Sequence, residues 1–399
     1  MKEAIARLGT GPLTEEGLRE HIWPLFSRVL QRDEIYLANH SLGRPLDCVE
    51  HDVLEGLRLW YERMDDAWDD DGWPAAMKEF RSLVARLIGQ SDPGAVVPKT
   101  SAGQGLRAVL NALPGAPKVL ATRGEFDSID FILKTYQNKG RASVTWVEPD
   151  SVDQGIPSFS SGAILRALDG QDLLVVSAIL FSTGQVLPDL KQIIEEAHAK
   201  GVLVLVDAYH AAGVVPLSMD DLDCDFMVGG SYKYTRGGPG ACWLAINPRH
   251  LGKMQTLDTG WFAKKSPFSY ARPEVPEYAD GGDGWLESTP PVLTLYQAKS
   301  GLSFTVEMGV DRLRDYNLKQ QAILKSAFAA HGVPFFDQFE SMGAYVLVPH
   351  PEAKQLCTKL KSMGVNTDSR GGAVRFGPDI LNSEAELRQA AGITAQAIS

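Results

Sequence analysis

The sequence predicts an α/β protein: a large domain with a mainly parallel central sheet covered by helices, and a smaller C-terminal α+β domain. Two observations predict it. Short apolar runs alternate with helical patterns through the middle of the chain, and the runs are apolar throughout, as strands buried on both faces require. Beyond about Asp311 the order changes to long helices with short strands between them. At 399 residues the chain also exceeds the usual span of a single core.

In chain order, residues 1–60 read as an N-terminal segment and the start of the small domain, 61–300 as the large domain, and 301–399 as the small C-terminal domain. The first stretch, MKEAIARLGTGPLTEEGLREHIW, carries charges throughout and lacks the apolar run of a signal peptide. In WYERMDDAWDDDGW (60–73), Asp65, Asp66, Asp69, Asp70 and Asp71 lack the ligand spacing and turn glycine of a calcium loop, so they read as a solvated helix end. Trp60, Trp68 and Trp73 either line a cleft or pack as core; core is expected for at least two. KTSAGQGLRAVLNAL (99–113) is a loop entering a helix.

KVLATR (118–123), SVTWVEP (143–149), DLLVVSAIL (172–180), VLVLVDA (202–208), DFMVGG (225–230) and ACWLAI (241–246) follow as strands, each bounded by Gly, Pro or Asp. LKQIIEEAHAKG (190–201) between them is an amphipathic helix closed by Gly. Segment 264–292 is rich in Pro and Gly with little periodicity, the composition of a functional loop. GVDRLRDYNLKQQAILKSAFAAHG (309–332) is a long helix, and strands are expected near AYVLVPH (344–350) and AVRFGP (373–378).

Composition narrows the function. Lys and Arg total 39 against 50 Asp and Glu, a formal charge of -11, which lacks the basic excess of a nucleic-acid binder. The longest apolar run, Leu173 to Phe181, is far shorter than the ~20 residues of a membrane helix, so no membrane partner is expected. Cys48, Cys224, Cys242 and Cys357 are scattered without metal spacing, and read as reduced core residues of a cytoplasmic protein with no metal site.

Ligands of parallel sheets bind beyond the carboxyl ends of the strands. Asp207 ends one apolar strand and Lys233 follows the next, so both would face one cleft with His210 beside them. A carboxylate near a lysine that can form a Schiff base is what pyridoxal phosphate requires: the acid keeps the pyridine nitrogen protonated and the amine carries the aldehyde. The plainer reading is a helix-capping Asp and a surface Lys paired with it. Lys233 lies in SYKYTRGGPGACW, between two tyrosines and ahead of a glycine turn that lets the chain pass closely by a ligand, which favours the first reading. The N–H groups entering the helix after Lys99, with Thr100 and Ser101, would hold a phosphate; an N-cap without a ligand explains the same residues. His40 reads as a structural, hydrogen-bonded histidine or as a neighbour of the site.

The order of these segments resembles the fold type I pyridoxal-phosphate enzymes of the class V aminotransferase group, and within it the kynureninases. YLANHSLG (36–43), STGQVLPDL (182–190), VDAYHAAGVVPL (206–217) and GGSYKYTRGGPG (229–240) carry the resemblance. TGWF (259–262), STPPVL (288–293) and AVRFGP (373–378) extend it over most of the chain.

The resemblance implies roles. Lys233 would hold pyridoxal 5′-phosphate and act as base at the substrate's α-carbon, and Asp207 would pair with the pyridine nitrogen, with His210 beside it. Tyr232 would bind the phosphate and act as an acid, Ser101 and Ala102 would contact the phosphate, and Phe126 would stack on the ring. Trp261 and Thr289 would line the phosphate and substrate cleft, supplied either by the same subunit or by the second subunit of a homodimer with shared active sites. Arg375 would grip the carboxylate of an amino-acid substrate. The implied reaction is hydrolysis of the Cβ–Cγ bond of kynurenine or 3-hydroxykynurenine to an anthranilate and alanine, a step of tryptophan catabolism. The alternatives are transamination or β-elimination of another amino acid on the same cofactor. Thr289 stands where the family has Asn, and Ala263 and Lys264 stand where it has His, departures that bear on the substrate's aryl group. Cys242 reads as an inert core residue, so a desulfurase with a persulfide-carrying cysteine is disfavoured.

Overall fold

The computed structural model describes residues 1–399. Seven strands make the central sheet: β1 (Val96–Lys99), β2 (Lys118–Thr122), β3 (Ser143–Val147), β4 (Leu173–Ser177), β5 (Leu203–Asp207), β6 (Phe226–Gly230) and β7 (Cys242–Ile246), in the spatial order β1-β7-β6-β5-β4-β2-β3. The pairs β2–β3, β2–β4, β4–β5 and β5–β6 are parallel. Strand β7 alone runs against its neighbours, β1 and β6. Its direction has a plain cause: the connection 231–241 contains no helix, and a parallel return needs a long crossover.

Alternate residues of each strand feed two cores, one per sheet face. Leu120, Leu174, Val176, Val204 and Val206 pack on one side, and Val119, Val175, Leu205, Phe226 and Val228 on the other. Burial on both faces explains why these runs are apolar throughout, and the mainly parallel, helix-covered sheet is the fold class read from the sequence.

The C-terminal part holds a second sheet of β8 (Val346–Pro349), β9 (Asp368–Arg370) and β10 (Ala373–Phe376), in the order β8-β10-β9, all antiparallel. Helices Val310–Ala330, Ala353–Ser362 and Glu384–Ile398 cover it. Ile35 and Tyr36 pair in parallel with Val365 and Asn366 in a separate two-stranded sheet, and Leu37 enters the core of the C-terminal part. Helix Val292–Met308 packs against helices Val49–Arg63 and Trp73–Ile88. No helix is long and apolar enough to cross a membrane.

Two expectations need correction. None of the three tryptophans is core: Trp60 is 53% exposed, and Trp68 and Trp73 are half-buried. They meet edge to face near the surface, where Trp68 reaches Phe262 and Phe268. Cys48 is exposed and Cys357 half-buried, so only Cys224 and Cys242 are core thiols, and all four are unpaired. The acidic run is solvated: Asp69 and Asp71 meet Arg63 at 3.3 and 2.8 Å, and Asp70 faces Lys78.

Candidate active site

The carboxyl ends of β4, β5 and β6 open into a cavity of about 250 Å³. Asp207 closes β5 and is buried, its Oδ1 accepting the Tyr209 N–H at 2.8 Å. Lys233 lies in the turn after β6, also buried. Its Nζ donates to Nε2 of His210 at 2.6 Å and sits 4.6 Å from the Tyr209 ring and 5.6 Å from those of Phe126 and Tyr232.

The lysine turn is held from outside by the N-terminal segment. The Gly43 N–H bonds the Tyr232 carbonyl at 2.9 Å, and a Cβ on Gly43 would lie 1.9 Å from the Lys233 carbonyl oxygen. Only glycine permits that approach.

Burial dominates the electrostatics. Opposed by Asp207 and reinforced by Arg375 and Arg370, it lowers the Lys233 ammonium to about 7. It raises the Asp207 carboxyl against the Tyr209 N–H and Lys233. His210 is driven well below its usual range by burial and by Lys233, so its ring is neutral and Nε2 accepts from the lysine. His210 Nδ1 is buried without a partner.

Across the cavity, helix Ala102–Leu110 presents its N-terminus. Ser101 caps it, accepting the Gln104 N–H at 3.1 Å, while the Thr100 hydroxyl donates to the Gln104 side chain. Ser101 thus serves as the N-cap and remains exposed at the cavity, so the two readings of this residue are compatible. Phe126 and Phe181 meet edge to face at 5.1 Å on the cavity wall.

Comparison with known proteins agrees with this geometry. The family model described as aminotransferase class-V matches residues 72–344. The chain belongs to the class-V aminotransferase family. Among curated relatives, the kynureninase of Bacillus cereus is 28% identical over 364 residues, covering 87% of this chain and 84% of that protein. The kynureninase of Deinococcus radiodurans is 29% identical over 392 residues, covering 92% and 90%. Among solved structures, the cysteine desulfurase CsdA of Escherichia coli superposes with a TM-score of 0.81 at 15% identity, covering 97% of this chain and 99% of that one. The cystine C–S lyase C-DES, bound to cysteine persulfide, has a TM-score of 0.81 at 18% identity, covering 93% and 99%. At these identities the structural likeness shows the fold.

The class-V fold is built around pyridoxal 5′-phosphate, and the cavity fits that group. A buried carboxylate, a lysine of lowered basicity, an aromatic wall and a helix N-terminus share one space, and they are the groups that suit a ring nitrogen, an aldehyde, a ring face and a phosphate.

Of the residues singled out by sequence, Ser101, Ala102, Phe126, Asp207, His210, Tyr232 and Lys233 all line the cavity. Three do not. Trp261 Nε1 donates to Thr289 Oγ1 at 3.3 Å, and this pair lies beside the loop 264–280, off the cavity wall. Arg375 lies behind the wall, 2% exposed, with Nη1 bonded to the carbonyl of Phe181. Cys242 is core but also reaches the wall, 3.4 Å from the Tyr209 hydroxyl, and burial pushes its thiol up.

Sequence reasoning passed over Glu125 and Asp368. Glu125 is buried beside the cavity, accepting the hydroxyls of Thr122 at 2.7 Å and Ser177 at 2.5 Å, and burial raises its carboxyl to about 7. Its only signal was its place just past the end of β2. Asp368 had a clearer one. A hairpin turning at Gly371–Gly372 pairs Arg370 with Ala373 and therefore Asp368 with Arg375.

Proposed function

We propose that this protein is a pyridoxal-phosphate-dependent hydrolase of the kynureninase type, cleaving the Cβ–Cγ bond of kynurenine or 3-hydroxykynurenine to an anthranilate and alanine. One observation carries the reading: Asp207 and Lys233 share a single aromatic-walled cavity in a class-V chain that matches kynureninases over 87% of its length. When bound, pyridoxal phosphate supplies an aldehyde that holds the substrate amine and a ring that takes up the electron pair left at the α-carbon.

The chain's own groups would do the rest. Lys233, its ammonium lowered to about 7 by burial, is suited to bond the aldehyde and then to move the α-proton. Asp207 would hold a proton at the ring nitrogen from within a dry pocket, where its charge counts most. The exposed N–H groups after Ser101, with the hydroxyls of Thr100 and Ser101, would take the phosphate. Phe126 would cover the ring face, and the Tyr232 hydroxyl would donate a proton at the phosphate or at the substrate carbonyl. Arg375 would grip the α-carboxylate. Cys242, buried and raised, is poorly suited to carry a persulfide.

We read the molecule as a cytoplasmic homodimer with shared sites. The wholly exposed stretch 271–277 and the exposed aromatics Phe268 and Tyr270, next to the off-wall pair Trp261 and Thr289, support a partner covering this face. Sedimentation of the holoprotein tests that: a monomer at micromolar concentration contradicts it.

Thr289 and Ala263 at family Asn and His positions favour a second reading, transamination or β-elimination of another amino acid. Incubating the holoprotein with kynurenine and, separately, with other amino acids decides between them. Hydrolysis gives anthranilate and alanine in equal amounts, whereas transamination consumes the amino acid into a 2-oxo acid. No aromatic amine from a cofactor-loaded protein removes the kynureninase assignment.

A further inference from the structure

The Asp368 carboxylate accepts four hydrogen bonds from three residues. Its Oδ1 accepts Nε2 of His40 at 2.6 Å and Nε of Arg375 at 2.7 Å; its Oδ2 accepts Nη2 of Arg375 at 2.6 Å and the hydroxyl of Ser41. Asp368 and Arg375 face each other across β9 and β10, while His40 and Ser41 come from the N-terminal segment. One edge of the guanidinium, Nε and Nη2, is therefore already occupied. At the other end Nη1 donates to the carbonyl of Phe181, a residue of the cavity wall. The ring of Tyr345 lies 5.3 Å from the guanidinium carbon, so the fork is fixed in both tilt and direction.

A guanidinium buried this deeply needs a paired, hydrogen-bonded anion to stay in place. Asp368 remains that anion: burial would raise its carboxyl, but His40 and Arg375 hold it far below the usual carboxylate range. Burial and Arg375 lower His40 to about 4, so its ring is neutral and donates through Nε2. The same ring is wedged against Gly377, where a Cβ would come within 2.3 Å of Nδ1. Backbone and side chains together leave Asp368 one position.

We propose that Asp368, locked by His40 and Ser41, is a positioning residue that sets the Arg375 fork for the α-carboxylate of the amino-acid substrate, so that substrate grip depends on the N-terminal segment staying docked to the small sheet. The inference rests on the reading above that Arg375 binds that carboxylate. The competing role is obstruction, with Asp368 occupying the fork against the substrate.

The test uses the cofactor-loaded enzyme and two probes, alanine and alaninamide, whose binding is followed by calorimetry and by the cofactor absorbance. Asp368→Asn should weaken alanine roughly 10- to 100-fold, as a misaimed contact does, while leaving alaninamide affinity and the unliganded spectrum unchanged. Arg375→Ala should lose alanine to a similar degree, and the double variant should be no worse than Arg375→Ala alone. Ser41→Ala, a milder change, should give a smaller loss in the same direction. If Asp368→Asn binds alanine as well as or better than the parent while Arg375→Ala loses it, the positioning role is wrong. Equal losses for alanine and alaninamide also overturn it. If Arg375→Ala keeps full alanine affinity, the carboxylate role of Arg375 fails and the inference falls with it.

Discussion

Replacing Asp207 by Asn separates charge from shape at the centre of the site. The amide oxygen can still accept the Tyr209 N–H now bonded at 2.8 Å, so the turn that carries His210 should hold. What disappears is a buried negative charge, one that also raises Lys233. Removing one preorganised electrostatic group from a dry site costs about 10²- to 10³-fold, and losing a positioned proton holder about 10²- to 10⁴-fold. A fall in kcat near 10³-fold is expected, equivalent to about 4 kcal/mol at the barrier. The assay is anthranilate release from kynurenine at saturating substrate, with cofactor content measured by absorbance on the same sample. KM should change far less than kcat, because Asp207 does not contact the substrate in this account. A cofactor-loaded Asp207→Asn protein within tenfold of the parent kcat would refute the assignment of this carboxylate to the ring nitrogen.

Other positions give independent checks. Gly43→Ala places a Cβ against the Lys233 carbonyl oxygen and should destabilise the fold by about 1–3 kcal/mol, with loss of cofactor retention on gel filtration. Asp225, far from the cavity, tests the electrostatic reasoning alone. Burial would raise its carboxyl, but His250 at 2.6 Å, Arg249 at 2.7 Å, the Val204 N–H at 2.7 Å and His198 at 2.9 Å bring it down from 3.8 to about 2. A depressed carboxylate contributes stability that is present above its unfolded value and lost as pH falls through the folded one. Asp225→Asn should therefore lower the unfolding free energy by about 2 kcal/mol at pH 7, and the gap to the parent should close between pH 4 and pH 2 in urea titrations.

Much of this architecture is readable from the chain because burial on both faces leaves a plain mark. Strands such as VLVLVD and DFMVGG are apolar nearly throughout, and Asp207 and Lys233 fall at or just past the ends of two that are neighbours, so their neighbourhood is readable from the sequence. The direction of β7 was less legible, since its alternation is the same whichever way it runs; only the missing helix in 231–241 tells. Trp60, Trp68 and Trp73 mislead because large aromatic residues near the surface have the same spacing as core residues. Arg375 was visible as a type of residue, but its partner was not, because Asp368 meets it through a hairpin register and His40 through contact across the whole length of the chain. Glu125 shows the same limit: its depth comes from Ser177 on another strand.

The most direct test is borohydride reduction of the cofactor-loaded protein followed by peptide mass spectrometry. A pyridoxyl mass is expected on the peptide containing Lys233, and none in Lys233→Ala protein treated alike. Lys99 is the informative control, a second buried lysine whose Nζ is held by the Trp285 carbonyl at 2.9 Å and Glu287 at 3.1 Å. A label on Lys99 or any other lysine, with Lys233 unmodified, would contradict this expectation.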